Sequence, residues 1–418
     1  MSDKRSPALG FIFVTLLIDV SGLGIIIPVV PTLIRQLTGE GLSQAAVYSG
    51  WLTFAYAGAQ FCFAPVMGGL SDKLGRRPVL LAALLGLGLD YVFLSFAPTL
   101  AWLFVGRVIA GITGASFTTA TAYIADISTP EKRAQNFGMV GAAFGIGFII
   151  GPTVGGLLAG FGSRVPFMVA AGLSLCNFLY GLLVLPESLV PAKRRPFEWS
   201  RANPLASLLR LRRYPAVLGL VASLLLIYLA GSSIQSVWTF YTELKFGWTE
   251  HWVGISLGVI GLFSVLVQGG LVRVAIPRLG AARAIAIGLL CYTVGFVLFA
   301  FASRGWMMLV FLAPYCLGGI AGPALQSTIS GQVPANEQGE LQGALTSLMS
   351  ATGVVGPLLM TGLFHYFTLE GAPVHFPGAP FILGAVLALA SAALAVRSLR
   401  KHPPVETGQP AAEAVPTH

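Results

Sequence analysis

Charge is what this chain has least of: Asp, Glu, Lys and Arg together make up 10% of its 418 residues. A soluble domain carries about 25%, because its surface must face water. With 55% hydrophobic residues and a mean hydropathy of +0.80, this chain has nowhere to place its apolar surface except lipid. Cysteine is also scarce. Cys62, Cys176, Cys291 and Cys316 stand singly inside apolar runs, too far apart for a metal-ligand pattern, and read as small packing residues. His251, His365, His375, His402 and His418 fall at predicted helix ends, in outer loops or in the tail, so no hydrolase triad or zinc site is in view. The expectation is a chain that is not an enzyme and needs no cofactor or metal. The net charge of +9 does not point to nucleic acid, because the basic residues sit in short loops between apolar runs.

Those runs are the dominant feature. Each is long enough to cross a hydrocarbon core of about 30 Å. Helices are predicted near 8–37, 46–70, 78–97, 100–128, 136–161, 165–187, 215–242, 252–276, 283–302, 305–331, 340–367 and 378–398. The first run is too long for a signal-peptide core and lacks a clear cleavage site, so it reads as a retained helix. With the N-terminus inside, the outer loops hold only Arg35, Arg164, Lys245 and Arg304. The cytoplasmic side then collects about 20 of the 25 basic residues. Both termini are therefore expected in the cytoplasm.

An Arg- and Pro-rich connection divides the helices six and six. The expected organisation is an N-terminal bundle at 1–187, a cytoplasmic linker at 188–214, a C-terminal bundle at 215–401 and a disordered tail at 402–418. An internal repeat supports the division: Gly151-Pro152 recurs as Gly356-Pro357, and Gly138 as Gly343. Halves related this way place a substrate site between them, near mid-membrane. The expected fold is an all-α membrane protein of twelve transmembrane helices in two six-helix bundles.

Three constellations carry chemistry. Between the second and third helices runs Gly68-Gly69-Leu70-Ser71-Asp72-Lys73-Leu74-Gly75-Arg76-Arg77. Gly75 permits a tight turn, Asp72 can accept from a helix N-terminus, and Arg76 can pair with Asp126. Such contacts would latch one face in one state and release it in another; the plainer alternative is a topogenic loop.

The second constellation is Asp19, Asp90 and Arg107, which at about 1.5 Å per residue share a depth within a few Å. Buried charges face a cavity or one another. Two carboxylates with one guanidinium leave one acid short of a full partner and free to take up a proton. A static ion pair with a spare aspartate is the alternative.

The third is Gly147, Gly151 and Gly155 on one face of the fifth helix, with Pro152 and Gly156, a surface for close backbone approach. Polar and aromatic residues within helices are candidate cavity-lining groups. They are Tyr56, Gln60, Gln235, Trp238, Gln268, Tyr292, Gln326 and Gln342, with Asn177, Tyr241 and Tyr315 as further candidates.

The turn from Gly68 to Pro78 resembles the loop signature between helices 2 and 3 of the major facilitator superfamily. The segment Gly147 to Gly156 is similar to the signature of its drug/proton antiporters. More narrowly, the chain resembles the tetracycline efflux family through Pro65 to Leu81, Gly106 to Asp126, Phe137 to Gly156, Leu185 to Ser188 and Pro323 to Gly343. The resemblance implies export of an amphipathic drug in exchange for protons, by a monomer in the lipid of a bacterial inner membrane. It gives Asp19, Asp90 and Arg107 the coupling role, and Asp72, Arg76, Asp126 and Arg133 the cytoplasmic gate. There are departures. Tyr292 stands where the tetracycline exporters carry an aspartate, and Ser264 where some carry a histidine. Those exporters move a metal–tetracycline chelate, so the missing carboxylate removes a group for coupling or for handling the cation. The rivals to drug export are a metabolite or nutrient transporter on the same fold, possibly a symporter, a membrane enzyme and a sensor.

Overall fold

The structure is a computed structural model describing residues 5–114, 116–128, 130–194, 196, 215–333 and 338–401. Among the described residues every regular element is helical, and the helices line up as twelve crossings. The first is α1 (Arg5–Ile26) continued by α2 (Val30–Thr38), followed by α3 (Leu42–Leu74) and α4 (Arg76–Ser95). The fourth combines α5 (Leu100–Thr113) and α6 (Ser116–Ile127); α7 (Pro130–Ala159) and α8 (Val165–Val184) complete six. The seventh is α9 (Pro215–Phe246), and the eighth combines α10 (Glu250–Leu266) and α11 (Val272–Leu279). Then come α12 (Ala281–Phe301), α13 (Gly305–Leu317) with α14 (Ala321–Gly331), α15 (Gln338–Thr368) and α16 (Ala379–Lys401). Ten of these stretches are long and apolar enough to span a membrane. The other two are the second crossing and the fourth, which divides at Gly114. The expected linker 188–214 lies largely, and the tail 402–418 wholly, outside the described residues.

Several helices outrun the apolar segments that announce them. The second, expected over 46–70, spans Leu42–Leu74, because backbone hydrogen bonding continues past the lipid-facing stretch until a turn stops it. Glycine supplies those turns. Among the described residues, positive φ occurs only at Gly39, Gly75, Gly162, Gly247, Gly280 and Gly371. These form three pairs, Gly39 with Gly247, Gly75 with Gly280, and Gly162 with Gly371. Each pair is separated by about 205 to 209 positions and closes the equivalent turn in crossings one to six and seven to twelve. Large side chains such as Phe161, Leu183 and Phe301 remain exposed, as lipid-facing residues do.

Small residues decide how closely the crossings meet. A Cβ on Gly155 would overlap the Ile25 carbonyl, and one on Gly151 would press on Ser21 and Gly24 of α1. On its other side α7 meets α10, where Gly156 lies against Glu250 and Gly254, and Gly254 against the Pro152 carbonyl. The eleventh crossing repeats the arrangement. Gly356 abuts Ser232 of α9, while Thr361 and the Pro357 carbonyl face Gly50 of α3. The fifth and eleventh crossings therefore each bind a helix of their own set and one of the other set. Gly155→Leu is expected to reduce folded protein on size-exclusion in detergent, because backbone cannot yield as a flexible side chain can. Gly172→Leu, with nothing within 4 Å of its Cβ position, should leave the elution profile unchanged.

Candidate functional site

One end of the bundle is organised by Arg76. The α3 helix stops at Gly75, whose φ of +109° turns the chain straight into α4. Arg76 is thereby the first residue of α4, and its backbone N–H donates to Glu187 Oε1 at 2.9 Å. Glu187, not Asp72, is the carboxylate at this helix N-terminus. Asp72 lies one turn back on α3 and instead pairs with Arg76 Nη1 at 2.6 Å. The same guanidinium donates to Ser71 Oγ at 2.6 Å and, through Nε, to Asp126 Oδ2 at 3.0 Å. Ser188 donates to the same Asp126 oxygen at 3.1 Å, and Arg77 to the Leu182 carbonyl at 2.8 Å. The network thus joins the second, third and fourth crossings to the segment after the sixth. A Cβ on Gly75 would collide with the Glu187 carboxylate, so the turn needs glycine for space as well as for its backbone angle.

The opposite end is held by contacts between crossings one to six and seven to twelve. Arg35 pairs with Glu243 at 2.6 Å, and Thr32 donates to Glu250 at 2.5 Å. Ser43 meets His365 Nδ1 at 3.0 Å and Thr368 Oγ1 at 2.8 Å. Together with the α7–α10 and α3–α15 glycine contacts, these form a seam at the end away from Arg76.

Between the two ends lies a cavity of about 640 Å³, walled by residues of both sets, among them Tyr56, Arg107, Phe148, Gln235, Gln268 and Tyr292. Its wall is mostly apolar, and Arg107 is the one lining side chain among the described residues that carries a full charge. Behind the wall, Asp90 is 1% exposed and its Oδ2 lies 3.7 Å from Arg107 Nη2. Neither Asp90 oxygen has a hydrogen-bond partner among the described residues. Asp19 of the first crossing is also buried. Arg107 thus lies between Asp90 and the cavity, 6.0 Å from the Tyr56 ring centroid.

A family model for the Major Facilitator Superfamily matches residues 12–357, with a second match over 274–418. The chain belongs to this superfamily. This facilitator protein is 39% identical over 386 residues to the class C tetracycline resistance protein of Escherichia coli, covering 92% of this chain and 96% of that one. It is 40% identical over 353 residues to the class E protein of the same species, covering 84% and 86%. Among solved structures it resembles the human organic anion transporter MFSD10 (TETRAN), with a TM-score of 0.69, 25% identity, and 94% and 100% coverage. It also resembles a bacterial homologue of human Spinster in an inward-facing, unoccupied conformation, with a TM-score of 0.77, 17% identity, and 96% and 98% coverage. It is a multi-pass membrane transporter.

The sequence candidates fall into distinct places in this transporter. Tyr56, Gln235, Trp238, Gln268, Tyr292 and Tyr315 line the cavity. Trp238 does so while its indole N–H donates to Ser256 at 2.9 Å. Gln60 stands outside the wall and hydrogen-bonds Tyr56 Oη and the Gly114 carbonyl, at the point where the fourth crossing breaks. Gln326 is exposed and outside the lining set, donating to the hydroxyl of the lining Tyr228 at 2.9 Å. Asn177 is buried against Thr15, and Tyr241 donates to the Phe299 carbonyl. Arg133 and Gln342 lie outside the residues whose side chains are described. Sequence reasoning missed Glu187, Tyr91 and the Arg35–Glu243 seam. Glu187 had a signal, since it lies in the quoted Leu-Pro-Glu-Ser stretch, and Tyr91 directly follows Asp90.

Proposed function

We propose that this chain exports amphipathic drugs, tetracycline-like compounds first among them, in exchange for protons and by alternating access. The observation that carries the reading is the central cavity, apolar over most of its wall and backed by Asp90 beside Arg107. Relatives at 39% and 40% identity are named tetracycline resistance proteins, which supports that cargo. The excess of Lys and Arg supports an orientation with the Arg76 network on the cytoplasmic face and the Arg35–Glu243 seam outside. A seam closed outside and a cavity between the sets suit the inward-facing stage, in which drug enters from the cytoplasm.

Coupling then needs a group whose protonation differs between the two states, because a ligand that binds both equally shifts nothing. Asp90 and Asp19 are that group, with Arg107 as their counter-ion. Drug moves outward with the acid ionised; a periplasmic proton discharges it and favours return. One monomer contains the whole path.

In an efflux-deficient bacterial host, expression should raise the tetracycline concentration that stops growth, and dissipating the proton gradient should restore intracellular drug. Unchanged susceptibility to tetracycline and to a panel of amphipathic antibiotics would rule out export. The seam gives a second test. Arg35→Glu alone should increase labelling of a cysteine at position 235 by an impermeant maleimide added outside, and Arg35→Glu with Glu243→Arg should return it to the low starting rate. Equal labelling in all three proteins would remove the seam as an outer gate.

A further inference from the structure

We infer that the cargo binds without a divalent cation, as a planar aromatic amphiphile held between Arg107 and a tyrosine wall of the C-terminal crossings. The inference deepens the export reading and rests on the central cavity being the drug site.

Charge comes first. A drug chelated to a divalent metal retains positive charge at its chelating edge, and a cavity that takes it must offer a carboxylate nearby. Among the described residues no carboxylate lines this cavity; its one full charge is the Arg107 guanidinium. Asp90 is 1% exposed and is not among the lining residues. A cation brought to this wall finds no carboxylate oxygen among the described lining residues to meet it, only a guanidinium whose counter-ion Asp90 lies behind it. Hydrogen-bond-accepting oxygens, such as those of a keto-enol edge without metal, meet the guanidinium as donor instead.

The aromatic wall is equally specific. Tyr292 and Tyr315 meet edge-on with ring centroids 5.1 Å apart, and Phe296 lies 5.3 Å from Tyr315. Tyr228 completes the wall, its oxygen accepting from Gln326. Aromatic faces and edges arranged this way favour a flat ring system. The backbone opens beside them. The eighth crossing contains a π-helical turn at Val267–Leu271, the tenth a 3₁₀ turn at Gly318–Ile320, and a Cβ on Gly319 would lie 3.6 Å from Val267 and 3.9 Å from Tyr292 Oη. π-turns of this kind occur frequently where a helix serves a site. This one projects Gln268 into the cavity, where a neutral amide can both donate to and accept from a polar drug edge.

The test is equilibrium binding of radiolabelled tetracycline to the purified full chain, with EDTA and with excess magnesium. Affinities should agree within about twofold, and Tyr292→Ala and Tyr315→Ala should each weaken binding by about tenfold in both buffers. Binding confined to magnesium, or unaltered by both tyrosine substitutions, overturns the inference. Gln268→Glu adds a carboxylate at an exposed position of the wall and should make binding tighter with magnesium than with EDTA; no magnesium response in that variant also overturns it. Binding in EDTA without gradient-driven transport sinks the export reading and leaves this inference standing. Gradient-driven export with binding only in magnesium does the reverse. Binding in neither buffer overturns the tyrosine–Arg107 subsite.

Discussion

Asp90→Asn is expected to reduce pH-driven tetracycline uptake into everted vesicles to the level of vesicles without the protein, while exchange of labelled for unlabelled drug continues. The two activities separate because exchange needs only the cavity and its alternation, whereas accumulation needs a proton to favour one state. Asparagine keeps the shape of Asp90 and its place 3.7 Å from Arg107 but removes both the charge and the site for a proton. A side chain that cannot change its protonation cannot bias the equilibrium, however well the drug binds. Asp90→Glu restores the acid with a longer reach and should recover part of the driven uptake. Asp19→Asn provides the comparison. If Asp90 is the coupling acid, Asp19→Asn retains some driven uptake; if only Asp19→Asn abolishes it, the roles of the two acids are exchanged. Arg107 makes the arrangement tolerable, because an ionised carboxylate with no hydrogen bond, as close to fully buried as Asp90, could not persist without a nearby cation.

Arg76→Ala has the second-largest expected effect, and it acts on conformation rather than coupling. Arg76 is 9% exposed and is bound by Asp126, Ser71 and Asp72. The Asp72 arm counts for little, since its carboxylate is 46% exposed. Losing the buried arms costs on the order of 2 kcal/mol, roughly a thirtyfold shift between two conformations. Because these contacts are formed in the structure read as inward-facing, their loss should disfavour that state relative to the outward-facing one. Driven uptake should fall by about that factor, with the protein still folded. Arg76→Lys keeps the charge but loses the fork that reaches Asp126 and Ser71 together, and should lie between. Normal uptake in Arg76→Ala would make the network a topogenic loop and nothing more.

Much of the fold was legible because lipid imposes a simple rule. A spanning helix needs about 20 mostly apolar residues, so most of the expected segments coincide with the crossings to within a few residues. The interruptions were not legible. Gly114 divides the fourth crossing, and Gln60, 54 positions earlier, hydrogen-bonds the carbonyl at the break. Glycine in an apolar run reads the same whether it packs or breaks, and a capping partner from another helix leaves no local pattern. Gln60 and Gln326 read as cavity-lining residues for the same reason: an apolar run shows that a glutamine lies within a crossing, not which neighbour it bonds.

The charged turn was more transparent, since Gly75 and Arg76 must sit together for geometric reasons and the turn is short. Glu187 stood in a recognisable stretch, but its pairing with the turn left no local pattern because it arrives from more than 100 positions away. Arg35 read only as one basic residue of the outer loops, and only the meeting of the two sets pairs it with Glu243. The paired positive-φ glycines were visible in principle, but only a search at a fixed spacing would have drawn out Gly39 with Gly247.

Proton movement on addition of drug tests the account most directly. In proteoliposomes containing a trapped pH dye and no imposed gradient, an outwardly directed tetracycline gradient should drive protons in the opposite direction through the wild-type protein. No such signal should appear with Asp90→Asn, although that variant still exchanges drug. Drug flux through the wild-type protein with no accompanying pH change would contradict it, leaving a facilitator or a carrier driven by something other than protons.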